Sequence, residues 1–478
     1  MSGDGPRLTR RRAGLAGVAI AGAAAVSGAS VPALPAADDT HGSAPGAVAR
    51  PAAHVSGEAE DAPGRPLSVP TPPRPPSCDD VQPTGHLQQR LDAVAPSGAL
   101  CLSPGRYPGP IVVRDGRTLW GPPEAVIASP GEGTTVRVEA ATLLGVTVDG
   151  SGGRFDLLDS AVHVAGEAPR VEGVHVRNAT FGILVEKAKH ALVRGNRVEG
   201  GRDEALGLRG DSIRLWETHH STVEDNRVTG GRDLVVWYAS DNVIRRNDVR
   251  DGRYGTHLMY SHRNIIEDNV YVRTVVGVFL MYSRDLKVTR NVAAGAAGAA
   301  GMGLGLKESG NVEVRDNVFV RDTLGVYIDN SPMQDGDENT FEGNHFRLCE
   351  TGVVFLAATK RNVFRDNGFR DNQTAVRVDG GGTAMSALWE GNDFDEYAGY
   401  DFDGDGRGDI PFELRSLSAD LTSRTPELQF FRGTPALAML NAASEIVPLL
   451  TPRIVLRDAA PRMAPLPLPT HLEALHAH

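Results

Sequence analysis

GTHLMYSHRNIIEDNV (255–270), followed by VVGVFLMYSRDLKVTRNV (275–292), says the same thing twice. In each, a glycine opens an apolar alternation, a Met-Tyr-Ser triplet closes it, and a β-branched or apolar pair stands shortly before an asparagine. Asn269 and Asn291 are 22 residues apart. The same local setting returns at Asn196, Asn226, Asn247, Asn317, Asn344, Asn367 and Asn392, at intervals of 21 to 30 residues. A period of that length, built from short β-branched runs punctuated by Gly, Asn and Asp, predicts a coil that returns to stack on itself. The leucine frame of leucine-rich repeats is missing. We expect a right-handed parallel β-helix of about nine to twelve rungs over residues 99–396, since parallel crossovers are right-handed. The asparagines then stack as a hydrogen-bonded ladder with a structural role.

Aligning the rungs on the asparagines brings a second column into register: DSIRLWE (211–217), DLVVWYAS (233–240), GTHLMYSH (255–262), GVFLMYS (277–283), GLGLKES (303–309), GVYIDNS (325–331) and GVVFLAA (352–358). Side chains alternate across a strand. Ile213, Leu215, Leu258, Val278, Leu280, Val326 and Ile328 therefore point into the coil, and Trp216, Trp237, Met259, Met281, Lys307 and Asp329 form one outward column. His257, Phe279 and Tyr327 form a parallel one. An apolar outward stripe marks a binding site or a covered face. Thioether and imidazole together select a soft metal, above all Cu(I), with His262 able to join if the turn folds back; packing of the methionines beneath a loop or partner is the other reading. Lys307 beside Asp329, near Tyr260, Tyr282 and His257, is either a surface ion pair or a proton-abstracting group for a uronic acid.

At 478 residues the chain exceeds a single-core size, which the repeat explains without several domains. A formal charge of −11, with basic residues scattered among acidic ones, argues against nucleic acid as a partner. No phosphate loop, dinucleotide fingerprint, zinc-protease motif or nucleophile elbow occurs. Arg7 and Arg10 to Arg12 followed by the apolar run Ala13–Ala29 read as an export signal within residues 1–37, with Sec and Tat both open; an uncleaved single-helix anchor is the alternative. Residues 38–77 are an Ala/Pro-rich linker. The β-helix is set at 78–396, with a short capping helix between Thr84 and Ala95. An oxidising compartment favours a disulfide between Cys78 and Cys101, while Cys349, inside a repeat, reads as a small buried hydrophobe. In the C-terminal part, 397–478, Asp401, Asp403, Asp405 and Asp409 have the 1, 3, 5, 9 spacing of a calcium loop around Gly406, although Phe412 stands where a bidentate Glu belongs. From Thr434 to Leu450, Leu437, Leu440, Ala443, Ile446, Val447 and Leu450 give one apolar helical face, for capping the last rung or docking a partner.

The two blocks quoted first, then GLGLKES, LGVYIDNSP and YAGYDFDGDGRGDIPF (397–412), resemble the NosD family in their sequential order, from about residue 85 to 463. The resemblance implies a periplasmic, non-enzymatic maturation factor in denitrification. Such a protein works with the permease and ATPase of an ABC transporter and with a copper chaperone lipoprotein to deliver copper to nitrous oxide reductase. The family's methionine and histidine rungs fall on His257, Met259, His262 and Met281. The Ala/Pro-rich segment before Cys78 departs from the family pattern. A carbohydrate-binding or polysaccharide-modifying β-helix, a lyase or epimerase, is the alternative.

Overall fold

The computed structural model describes residues 71–416, apart from 202–204 and 381, then 452–469 and a few isolated positions between 428 and 443. The expected export signal and most of the linker lie outside the described residues, as does the greater part of the Thr434–Leu450 helix.

Three long parallel sheets wrap one core. The chain visits them in rotation, as at Val243–Arg245, Asp248–Arg250 and Tyr254–Met259, and then repeats one layer further on. The sheets hold fourteen, thirteen and twelve strands. This is a parallel β-helix. Among the described residues, no helix is long and apolar enough to cross a membrane.

Alternation decides what the coil encloses. Ile213, Leu215, Leu258, Val278, Leu280, Val326 and Ile328 are all buried in one continuous core. The asparagine ladder runs beside it. Asn269 donates from Nδ2 to Asn291 Oδ1 at 2.9 Å and to the Ile244 carbonyl at 2.9 Å, while its own Oδ1 accepts from the backbone and side-chain amides of Asn247. Every amide is thus spent on the rungs on either side, which is what a buried polar group requires. A second column, Ser261, Ser283, Ser309 and Ser331, passes backbone amides to hydroxyls in the same direction.

The coil is longer than the asparagine count implies. Five strands of the fourteen-stranded sheet, from Asp79–Val81 to Arg170–Glu172, precede the Asn196 rung. Val174 occupies the ladder position there, and its backbone N–H reaches Asn196 Oδ1 at 2.9 Å, so these early rungs stack without an amide of their own. At the other end the ladder finishes on a residue from another part of the chain. Asp458, on the antiparallel pair Phe412–Ser416 and Arg453–Asp458, accepts the backbone and side-chain amides of Asn392 at 2.9 and 2.8 Å, and the amides of Gly391 and Ala460. A carboxylate can take the place of the missing next asparagine because only acceptors are needed there.

The N-terminal end is closed by the helix Leu87–Ala93, shorter than the expected span, with Leu87 and Leu91 buried over the first rungs. Cys78 and Cys101 form a disulfide across the first strand pair, Cα to Cα 5.7 Å. The end of the expected linker is not free. Trp120 Nε1 donates to the Pro72 carbonyl at 2.9 Å, anchoring residues that lack a hydrophobic core of their own. Cys349 is buried, and its Sγ lies 3.6 Å from the Phe319 carbonyl oxygen, a packing role.

Candidate metal-binding face of the third sheet

The twelve-stranded sheet carries the expected outward columns in exact register. Trp216 pairs with Trp237, Trp237 with Met259, Met259 with Met281, Met281 with Lys307 and Lys307 with Asp329. Beside it run Val235, His257, Phe279, Gly305 and Tyr327. The glycine that opens these blocks is forced by stacking: a Cβ on Gly277 would stand 2.4 Å from the Gly303 carbonyl oxygen. Gly305 has a different cause. A Cβ there would strike the Phe279 ring and come within 2.7 Å of Met302 Sδ, so the empty position admits a ring and a third thioether.

His257 is the centre of this face. Only 6% exposed, it is enclosed by Trp237, Tyr254 and Phe279, with ring centroids 5.4, 4.6 and 5.8 Å away. Its Nε2 lies 3.2 Å from Met281 Sδ, and its Nδ1 has no hydrogen-bond partner among the described residues. Burial pulls the imidazole down to about 4, well below its ordinary 6.5, so the ring is neutral at physiological pH. A neutral imidazole offers one lone pair, and here no conventional hydrogen bond consumes it. Arg214 lies over Trp216 and Trp237, 4.7 and 5.6 Å from the ring centroids, at the upper end of the stripe.

His262 is not brought to this centre. It lies beyond Tyr260, which is left-handed at φ 50°, and beyond Ser261, which points inward; its Nδ1 accepts the Arg284 amide at 3.1 Å. That bond uses the lone pair and leaves Nε2 carrying the proton, so His262 has nothing to give a metal without breaking a rung contact. Lys307 and Asp329 pair at 4.0 Å on the rungs below Met281.

The acidic loop also differs from its expected form. Asp401, Asp403 and Asp405 place carboxylate oxygens within 4.8 Å of one another. Asp409 does not join them; its carboxylate accepts the Phe402 amide at 2.6 Å. Asp401 takes the amides of Gly404 and Gly406, Asp403 that of Asp405, and Asp405 that of Arg407. The turn is held by its own Asx-type hydrogen bonds; three of the four expected carboxylates converge, while Asp409 stands apart and the bidentate Glu is missing.

Three contributors escaped the sequence reading. Tyr254 immediately precedes the first quoted block, but a bulge between Asp233 and Val235 in the neighbouring strand hides which way it faces. Arg214 alternates outward between two inward aliphatics, a signal that was available. Met302 lies where strict alternation gives no outward direction, and it packs with Val276, Leu324 and Val354 in a cluster outside the main core.

Residues 202–399, which contain the whole of this face, match the family model described as periplasmic copper-binding protein (NosD). A protein of Stutzerimonas stutzeri named probable ABC transporter binding protein NosD is 28% identical over 419 residues, 77% of this chain and 85% of that one. Its namesake in Pseudomonas aeruginosa is 28% identical over 428 residues, 80% and 91%. Two solved structures share the fold at low identity. The A-module of the Azotobacter vinelandii mannuronan C-5 epimerase AlgE6 has a TM-score of 0.50 at 17% identity, covering 63% of this chain and 93% of that one. The catalytic unit of a GH87 α-1,3-glucanase from Streptomyces thermodiastaticus has 0.53 at 16%, covering 66% and 70%. The enzymes testify to architecture alone; the family match over the candidate face and two relatives aligned along most of their length support assignment of the chain to the NosD family.

Proposed function

We propose that this chain is an exported, non-catalytic accessory protein that carries Cu(I) on the outer face of its third sheet. In this reading it works with the permease and ATPase of an ABC transporter and a copper chaperone lipoprotein to supply nitrous oxide reductase. The observation that carries the proposal is the 3.2 Å approach of His257 Nε2 to Met281 Sδ, with the imidazole neutral and its Nδ1 unpartnered in an aromatic enclosure. Soft thioether and imidazole donors suit Cu(I), and a dry apolar shell shields it from water. Met259 stands one rung from Met281 in the same column and is the second thioether in reach. The family description and the names of the two relatives support copper and transporter association respectively. Lys307 is spent on its ion pair with Asp329, which weakens the case for proton abstraction.

The test is anaerobic Cu(I) titration of the purified protein against a colorimetric chelator, repeated with Met259→Ala and Met281→Ala combined. The wild type is expected to withhold one Cu(I), and the double variant to surrender it at chelator concentrations that leave the wild type loaded. Equal stoichiometry and affinity in both would remove the methionine column from the site.

A further inference from the structure

Five redox-active rings run in unbroken contact from His257 to the surface. Trp237 meets His257 edge-on at 5.4 Å, Trp216 lies 6.0 Å from Trp237, and Tyr238 packs on Trp216 at 5.1 Å. Tyr260 stacks on Tyr238 at 5.5 Å and Tyr282 on Tyr260 at 4.9 Å, with planes within 15° of parallel. Tyr238 and Tyr260 are 42% and 45% exposed. All three tyrosines sit at a corner of the coil with left-handed backbones, φ 50° to 52°, a conformation that costs a bulky side chain more than Gly or Asn. Their counterparts on other rungs are Glu217, Glu308, Asn330 and Ala357, so the corner itself does not demand an aromatic. Nor does the core, from which these rings point away.

We propose that this chain of rings is a protective relay, which carries an oxidising equivalent away from copper held at His257 and Met281 and delivers it to the exposed tyrosines. The proposal rests on the copper reading above. The oxidant is hydrogen peroxide. Cu(I) gives it one electron, breaking the O–O bond to yield Cu(II), hydroxide and hydroxyl radical. Trp237 gives the second electron, converting the radical to hydroxide. The hole passes through Trp216 to Tyr238, Tyr260 or Tyr282, whose phenolic proton leaves to water and neutralises one hydroxide. The balance is Cu(I), peroxide and one tyrosine going to Cu(II), hydroxide, water and one tyrosyl radical. A soluble thiol then returns a hydrogen atom to the exposed ring. Without the relay, the nearest sink is the thioether of Met281, which goes to the sulfoxide and loses its softness as a ligand.

The experiment compares wild type with Tyr238→Phe, Tyr260→Phe and Tyr282→Phe combined, which keeps the packing and removes the oxidisable phenols. Cu(I) affinity is measured first by chelator competition, then both proteins receive one equivalent of peroxide without thiol. The expected result is equal Cu(I) affinity, a tyrosyl signal in freeze-quenched electron paramagnetic resonance of the wild type alone, and severalfold more Met281 sulfoxide in the variant by mass spectrometry. Copper bound by both with no tyrosyl signal in the wild type, or with equal sulfoxide, overturns the relay and leaves the copper site standing. Failure of the wild type to hold Cu(I) overturns both.

Discussion

Asn269→Leu is expected to destabilise the protein by about 3–9 kcal/mol, at roughly 1–3 kcal/mol for each of three buried groups left unsatisfied. The substitution strands the Asn247 N–H and side-chain amide, which both point at Asn269 Oδ1, and removes the donor to the Ile244 carbonyl. None of these groups is within reach of water. Urea unfolding measures the loss, and hydrogen exchange should place it at the rungs on either side, since a stacked repeat is coupled mainly through its neighbours. A change below 1 kcal/mol would mean that the ladder amides find other partners and are not what holds the rungs in register.

His257→Phe is expected to weaken Cu(I) binding on the order of a hundredfold or more, because it deletes the nitrogen donor while keeping a ring between Trp237 and Phe279. Its effect on folding should have the opposite sign. The imidazole is buried with Nδ1 unpartnered, a desolvation cost that phenylalanine does not carry. The pH dependence isolates the residue. With the folded value at about 4 and the ordinary value at 6.5, protons bind the unfolded chain first. Wild-type stability is therefore complete above pH 6.5 and declines as pH falls towards 4, by roughly 3 kcal/mol from this group. The phenylalanine variant lacks that decline, so the difference between the two stability curves should close as pH rises through this window. Parallel curves would show that His257 titrates alike in the folded and unfolded chain, which would count against its burial in the aromatic enclosure.

Much of this was legible from spacing. The recurrence of V/I/F/W-x-x-N marks the rungs because each asparagine must sit over the next to satisfy its own amide. Once the rungs are aligned, a period of two leaves no choice about Met259 over Met281 or His257 over Phe279. The five leading strands were illegible in the same terms, since no asparagine stands at the ladder position there, as Val174 shows, and nothing else marks their period. Asp458 was illegible for another reason: it follows Asn392 by 66 residues and completes the ladder through space. His262 and Asp409 show the limit for sites. Both have the right residue type at the right spacing, yet His262 has its one lone pair committed to the Arg284 amide, and Asp409, accepting the Phe402 amide, does not join the carboxylate cluster. Spacing reports which residues can meet; the local turn geometry and hydrogen bonds decide which do. His257 differs from both in that its Nε2 meets only the thioether of Met281 and its Nδ1 has no partner among the described residues.

The most direct test of the central claim is copper-edge X-ray absorption on the protein loaded anaerobically with one equivalent of Cu(I), for wild type and Met281→Leu. The account predicts a low-coordinate Cu(I) shell containing both nitrogen and sulfur in the wild type, with sulfur scattering diminished in the variant. A shell of nitrogen and oxygen only, or one unchanged by the loss of Met281, would contradict it.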